Sequence, residues 1–475
     1  MFTFQDFQKA VNENGIEKAV LTTIGSHKST KDYKTALDAD LYDHQKNKTI
    51  NEYVQKIFTL TGSPIEDYTA ANNKLSSNFF RRLNTQRNTY LLGNGVAFSE
   101  DSEQIKDALG TDFDTELKKL GYFSLIHGVS FGFWNVDGMH TFKLTEFAPL
   151  WDEETGELRA GVRFWQIDKT KPMIAVLYEE DGYSKYHSTT DGSLIMTQDK
   201  QAYRVTVSKS EADGEEVIGE ENYSSLPIIP LWGSSLKQST LVGMRALIDS
   251  FDLIRSGFAN DLTDVSQIYW IVSNAGGMDD KDLARFRDRL KLTHIAVVDT
   301  ENSGVTPYTN EIPYNARQTY LDDIRSGIYE DFGGLDVHAV AAGATNDHID
   351  AAYQPMDEQA DDYEYQLIEF IQQLLKLLGL PDVLPVFKRN RISNQTEQTQ
   401  MVLSAAEYLD DETVLKKLPF ITVDEVEEIL AKKTQETENR FSDDEINRRL
   451  SALEATSGAA NGFQPVNNES GEVNG

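Results

Sequence analysis

Apolar residues recur at steps of three or four across residues 239–265: Leu241, Met244, Ile248, Phe251, Ile254, Phe258, Leu262 and Val265. That spacing lays one apolar stripe along a continuous helix. At about 1.5 Å per residue the helix is roughly 40 Å long. Asp249, Asp252, Arg255, Asp261 and Asp264 fall between the stripe positions, so much of the remaining surface is expected to be wet. A second amphipathic helix is predicted over 314–332, with Leu321, Ile324, Ile328 and Phe332 on one side. Between them lies a small strand-rich insert, with strands near 268–272 and 295–299, a helix over 279–292 and an arm at 304–308. Two long helices bracketing a small module read as a stalk with a cap. Neither helix has an evident partner in the chain large enough to cover its stripe.

Upstream, residues 1–60 read as polar helices, with Phe4, Phe7 and Val11 forming one short stripe and Ile50, Tyr53, Ile57 and Phe58 another. A helix is predicted from about 73 to 92, carrying Leu75, Phe79, Leu83 and Tyr90 and stopped by Gly93, Asn94 and Gly95. Another spans about 112–127. The period then changes to two. Val129, Phe131 and Phe133 alternate into a turn at Asp137 and Gly138, and residues 141–147 return. Further turn signals at Gly156, Gly182 and Gly192 separate strands near 158–166, 173–179, 183–188 and 201–208. One meandering antiparallel sheet over 129–225 is expected, followed by an extended lead-in at 226–232.

Downstream, residues 333–348 are small and nearly uncharged and read as a loop. Met356, Ala360, Tyr363, Leu367, Phe370, Leu374 and Leu378 then mark a helix with Pro355 near its start. Helices are predicted over 394–409, 411–417, 423–439 and 443–453. Thr422 with Glu425 and Ser442 with Glu445 form capping boxes. From 457 onward no apolar pattern remains, which predicts a disordered tail. The fold class is α+β, mainly α.

Composition narrows the partners. At 475 residues, two to four substructures are expected. There is no cysteine, which removes disulfides and thiolate metal sites and fits synthesis in a reducing, intracellular place. The start of the chain does not read as a signal peptide, and no apolar run reaches the length of a membrane span, so a soluble protein without membrane contact is expected. The 45 basic and 77 acidic residues give a net charge of −32. Such a surface repels phosphate and argues against wrapping nucleic acid by counterion release. It fits an acidic surface that keeps the protein in solution, or one that DNA passes without sticking.

No catalytic pattern stands out. There is no phosphate-cradling G-x-x-x-x-G-K-[ST] loop, no G-x-S-x-G elbow and no H-E-x-x-H pair. His338 and His348 lie in the small-residue loop with nothing rigid beside them, which argues against a metal site. Asp279, Asp280 and Asp282 lack the glycine and terminal glutamate of a calcium loop and read as an acidic helix start. Gly93 to Gly95 follow a helix and not a strand, unlike a nucleotide-binding turn. No cofactor or metal is expected, and a structural assembly component is favoured over an enzyme.

The order of these parts resembles one family, the portal proteins of tailed bacteriophages, in the branch typical of siphophages. The resemblance covers roughly residues 50–440. Residues 90–96 (YLLGNGV) resemble the helix-then-glycine start of that family's wing. Residues 226–231 (LPIIPL) followed by 239–265, with Leu247, Ile248 and Asp249, resemble the proline-bearing entry and first stem helix. Residues 315–333 resemble the second stem helix, and 343–348 (GATNDH) stand where a glycine-serine loop precedes a kinked helix. Phe387, Lys388, Arg389 and Asn390, then Asp411, Glu412, Thr413, Leu418, Pro419, Asp424 and Glu425, resemble the segment that follows. Ala344, Thr345 and Asn346 depart from the family, where a serine is common.

The resemblance implies a map of the chain. Residues 1–238 would be the wing, with 350–392 a long helix completing it. Residues 239–265 and 314–332 would be the stem, 266–313 a small α/β clip, 333–349 a tunnel loop, 393–455 a helical crown and 456–475 the tail. It implies a homo-oligomeric ring, dodecameric in the phage head, through which double-stranded DNA passes without sequence specificity. Implied partners are the terminase large subunit, a head-tail adaptor, and capsid and scaffolding proteins, in a virion assembled in the host cytoplasm. Val337, His338, Val340, Ala341, Gly343, Thr345 and Asn346 would line the channel. Leu241, Met244, Ile248, Phe251, Phe258, Leu262, Leu321, Ile324 and Ile328 would pack the stem. Tyr269, Trp270, Asp279, Asp280, Asp282, Arg285 and Arg289 would form the clip's partner surface. Two other readings stay open: a different virion ring such as a head-tail adaptor, and a soluble enzyme with its pocket in the 129–225 sheet.

Overall fold

Thr3 opens the first helix with a reciprocal cap. Its hydroxyl accepts the Asp6 N–H at 3.1 Å, and the Asp6 carboxylate accepts the Thr3 N–H at 3.3 Å. The helices α1 (Phe4–Asn14), α2 (Ile16–Ser29), α3 (Lys31–Asp43) and α4 (Lys48–Glu52) follow in close succession. The computed structural model describes residues 2–58, 62–67, 70–99, 102–210, 214–265, 269–273, 281–282, 285–286, 304–308, 314–336, 345–391, 395–406, 408–418, 421, 426, 429–433 and 448–453. Two compact units emerge, Met1–Val337 with Ala352–Arg391, and His338–Ala351 with Ile392–Gly475.

Helix does not run through to residue 60. β1 (Lys56–Phe58) pairs antiparallel with β2 (Pro64–Glu66), so Ile57 and Phe58 belong to a strand ribbon and not to the stripe begun by Ile50. Gly62 takes φ +78 just before β2, a turn conformation that favours glycine. α5 (Phe79–Leu92) starts six residues later than the sequence pattern suggests, because residues 73–78 lie outside any helix. After β3 (Val96–Phe98) comes α6 (Ser102–Leu109), an element the pattern did not reveal, and then α7 (Phe113–His127).

The expected single meander is three sheets. β4 (Val129–Asn135) pairs with β5 (Gly138–Lys143) on one side and β13 (Ile228–Trp232) on the other. The return over 141–147 is therefore split. It ends at Lys143, and Phe147 begins β6 (Phe147–Trp151) in another sheet. That second sheet is a true meander of β6, β7 (Leu158–Trp165), β8 (Ile174–Glu179), β9 (Gly182–Ser188) and β10 (Leu194–Gln201). β11 (Arg204–Ser210) and β12 (Gly214–Glu221) form a separate ribbon. The division has a packing reason. Ala148, Leu150, Val162, Phe164, Leu177 and Tyr186 of the meander share a core with Phe7, Val20 and Ile24 of the first two helices. α7 instead covers the sheet containing β4, where Gly132 lets the Phe370 ring approach: a Cβ there would lie 2.6 Å from it.

The long elements are α8 (Leu241–Val265), β14 (Tyr269–Ser273), β15 (Gly304–Tyr308), α9 (Tyr314–Phe332) and α10 (Asn346–Leu378). β16 (Pro385–Phe387) pairs with β3, and α11 (Gln395–Ala405) and α12 (Asp411–Lys417) follow. Met356, Ala360, Tyr363, Leu367, Phe370 and Leu374 of α10 are all buried, as their spacing predicts. Pro355 lies well inside α10 and not near its start, since the helix begins at Asn346. The fold is α+β and mainly α. Among the described residues no helix is long and apolar enough to cross a membrane.

Candidate stem and channel-loop site

The first long helix is entered through a tight crossing of backbone. Ser239 Oγ accepts the Leu241 N–H at 3.1 Å and donates to the Ile126 carbonyl at 2.5 Å. Thr240 N–H donates to the Leu125 carbonyl at 3.1 Å, and its hydroxyl donates to Asn84 Oδ1 at 2.9 Å. The end of α7 thus holds the start of α8. Gly128 sits in this crossing at φ +91, and a Cβ there would stand 2.8 Å from the Gln238–Ser239 backbone.

Along α8 the apolar stripe divides. Leu241, Met244 and Ile248 are buried with Tyr42, Phe80, Leu83, Ile126, Ile324, Ile328 and Tyr329. Phe251 is half-buried and edge-on to Phe79, ring centres 5.0 Å apart. Phe258 is half-buried beside Tyr314 at 5.6 Å, and Leu262 is 56% exposed. On α9, Leu321, Ile324, Ile328 and Phe332 are all buried. The upper halves of both stripes therefore find partners within the chain, which corrects the expectation that they lacked one. The helices α3, α5 and α7 supply the missing surface.

The polar side of α8 departs further from expectation. Asp252 is fully buried, and Asp249 is half-buried, where both were read as wet. Asp252, Ser256 and Asn260 follow at steps of four and receive alternate backbone N–H groups of an extended strap. Ser77 N–H donates to Asp252 Oδ1 at 2.9 Å, Leu75 N–H to Ser256 Oγ at 3.0 Å, and Asn73 N–H to Asn260 Oδ1 at 2.6 Å. The geometry matches because two extended residues advance about 6.7 Å while four helical residues rise about 6 Å. This pairing keeps 73–78 out of the helix that the apolar spacing suggested. Asn47 Nδ2 closes on the other Asp252 oxygen at 2.5 Å. Asp249 accepts the Tyr42 hydroxyl and the Thr49 hydroxyl, the latter at 2.6 Å. Arg245 pairs with Asp38 at 2.8 Å.

Burial dominates the electrostatics. It raises the Asp252 carboxyl above its ordinary value of 3.8, and the bonds from Asn47 and Ser77 oppose it only in part. Burial, reinforced by the bond to Asp249, pushes the Tyr42 hydroxyl up to about 12.

The second long helix is closed as firmly as the first is opened. Gly333 takes φ +66 just after α9, the left-handed stop that glycine allows. Arg87 donates to the Phe332 carbonyl and lies over the Phe332 ring at 4.1 Å, and burial lowers its pKa to about 10. Gln86 donates to the Leu335 carbonyl at 3.0 Å and accepts its N–H at 3.1 Å. Arg325 meets both Asp336 oxygens at 3.1 Å. Residues 333–336, expected to be loop, are pinned to α5 and α9. At the far end, the Thr345 carbonyl accepts the Ile349 N–H at 3.0 Å and its hydroxyl bonds His348 Nδ1 at 2.7 Å. Thr345 is thus the last residue before α10, and Asn346, expected in the loop, is the first residue of that helix. Val337, His338, Val340, Ala341 and Gly343 lie outside the described residues.

In the segment expected to be the clip, β14 and β15 pair antiparallel, with Tyr269 opposite Tyr308 and Trp270 opposite Pro307, as the 304–308 arm predicted. Arg285 lies 3.8 Å from Asp282, and both are exposed. Asp279, Asp280 and Arg289 lie outside the described residues, as do both capping boxes and the tail. Among the described residues no cluster of His, Asp and Glu is disposed to hold a metal.

The chain is 25% identical over 439 residues to a portal protein of Clostridium phage phiCD119, covering 86% of this chain and 94% of that one. It is 24% identical over 418 residues to the portal protein of Bacillus phage SPP1, covering 81% and 80%. A solved chain from the neck of an empty GTA particle is similar over 72% of this chain and 90% of its own, at 10% identity and a TM-score of 0.40. The family described as phage portal protein, SPP1 Gp6-like, matches residues 26–439. Its members are structural proteins of the virion that act as homo-oligomeric rings. The chain belongs to this family of phage portal proteins.

Proposed function

We propose that this portal subunit forms a dodecameric ring at one capsid vertex, that DNA enters and leaves through its centre, and that it performs no catalysis. The observation that carries the reading is the paired long helices. Their upper halves are anchored in the chain's own core, while Leu262, Tyr314 and Tyr320 lower down stay 50–57% exposed. Apolar surface left on an otherwise anchored pair is the kind a neighbouring copy covers. A channel wall drawn from a chain of net charge −32 repels the DNA backbone, and repulsion acts within about 8–10 Å at moderate salt. The segment around β14 and β15 would meet the terminase large subunit during packaging and head-tail adaptors afterwards, and the wing would meet capsid and scaffolding proteins. Residues 337–345 would border the channel.

Light scattering with negative-stain microscopy tests this. The expected result is a radial particle with a central hole and a mass many times the 53.5 kDa of one chain. A chain that stays monomeric at micromolar concentration across several salt conditions overturns it.

A further inference from the structure

Arg255 stands apart among the described arginines of the wing and stem. Arg81, Arg159, Arg163, Arg245, Arg317, Arg325, Arg389 and Arg391 each meet a carboxylate. Arg82, Arg87 and Arg204 each lie over an aromatic ring. Arg255 is exposed with neither, on a chain with a large excess of acid. Two turns along α8 on the same side is Leu262, 56% exposed. The outward side of α9 shows the complementary chemistry. Tyr320 is 50% exposed, and Asp322, Asp323, Glu330 and Asp331 are exposed and meet no cation among the described residues.

The two surfaces also lie at matching positions along the helix pair. Arg255 falls between Phe251 and Phe258. Phe79 packs on both Phe251 and Tyr329, and Phe258 packs on Tyr314. Tyr320 and Asp323 fall between Tyr314 and Tyr329 on α9. Rotation about an axis along the helix pair moves each position to the same height on the next copy, so a basic-apolar site meets an acidic-aromatic one.

We propose that Arg255 of one copy pairs with Asp323 of the next, with Leu262 against the neighbour's Tyr320, forming a head-to-tail seam between two different helix faces. The occupant is a second copy of this chain. The inference rests on the ring reading and assigns its contact to named side chains. Closure into a ring requires such a heterologous contact, and these faces differ in the sense it needs.

Charge reversal tests it. Arg255→Glu and Asp323→Arg are each expected to raise the protein concentration at which rings form at least tenfold, read by light scattering and microscopy. The double variant should return to within about threefold of wild type. Circular dichroism melts of each variant check that the subunit still folds. Wild-type rings indifferent to both reversals, or rings lost in both singles and not recovered in a folded double variant, overturn this seam alone. A wild-type chain that never forms rings overturns the ring reading and the seam with it.

Discussion

Asp252 Oδ1 takes the backbone N–H of Ser77 at 2.9 Å in a fully buried setting, with Asn47 as the only other hydrogen-bond donor the carboxylate meets among the described residues. No cation joins them, so the carboxylate is held by neutral donors alone. With Ser256 and Asn260 it forms a ladder that ties an extended strap to the stem helix over two turns. The ladder ties α8 to residues 73–77, because moving one past the other means breaking these backbone bonds.

The buried carboxyl predicts a pH dependence. Its folded pKa lies above the ordinary value of 3.8, so ionisation at neutral pH opposes folding. That penalty is relieved as pH falls through the folded pKa, and stability from this group is fully present below the unfolded value. Asp252→Asn cannot take up a proton there, so wild type should gain stability relative to Asp252→Asn as pH falls from 7 to 4. Chemical denaturation of both at each pH measures this. Curves that stay parallel across the range would mean that the folded carboxyl is not raised above its unfolded value.

Much of the fold was legible and the reasons for the misses are local. Periodicity located both long helices, because Leu241, Met244, Ile248, Leu321, Ile324 and Ile328 turn a strong stripe to one core. It could not show that Asp252 is buried, since an acidic residue between apolar ones reads as solvated unless its partner is known. The partner is a backbone N–H almost 180 residues away, invisible to any local pattern. The spacing of Asp252, Ser256 and Asn260 was the available signal, three short polar side chains at steps of four. The split of the sheet at Lys143 left a trace in the sequence. Residues 141–144 alternate as one strand would, and the alternation breaks at Glu146 and Phe147, where β6 begins.

The stem aromatics predict effects on the subunit as well as the ring. Phe251→Asp would place a charge beside Phe79 at the rim of the core, and a loss of about 3–5 kcal/mol is expected. Phe258 meets Tyr314 and the Arg317 guanidinium in a half-exposed region, so the cost of Phe258→Asp to the isolated subunit should be smaller while ring formation still suffers. Urea melts of the subunit beside ring yields separate the two. Equal melts for both variants would mean that the core does not extend to Phe251.

Clip reversals should leave assembly untouched. Asp280→Lys and Arg289→Glu lie in the segment between β14 and β15, apart in sequence from every residue that anchors the stem. Rings of normal mass are expected, with weaker motor-driven DNA packaging in a reconstituted assay. Packaging at the wild-type rate by both variants would place the motor contact elsewhere on the ring.

The loop between the stem and α10 allows the sharpest functional test. Its entrance is pinned by Gln86, Arg87 and Arg325, and its exit by Thr345 at the start of α10. Residues 337–344, between these two in sequence, are rich in alanine and glycine. Small side chains let such a span change backbone conformation at little steric or entropic cost. If one copy per subunit borders the channel, the ring of loops must yield as DNA advances. Ala341→Trp adds bulk and Gly343→Pro removes backbone freedom, and neither touches a pinned end. Both variants should form rings with wild-type melting behaviour and then stall or block DNA passage, measured as the length of DNA protected from nuclease. Full-length protected DNA at the normal rate in either variant would mean that this loop does not border the channel.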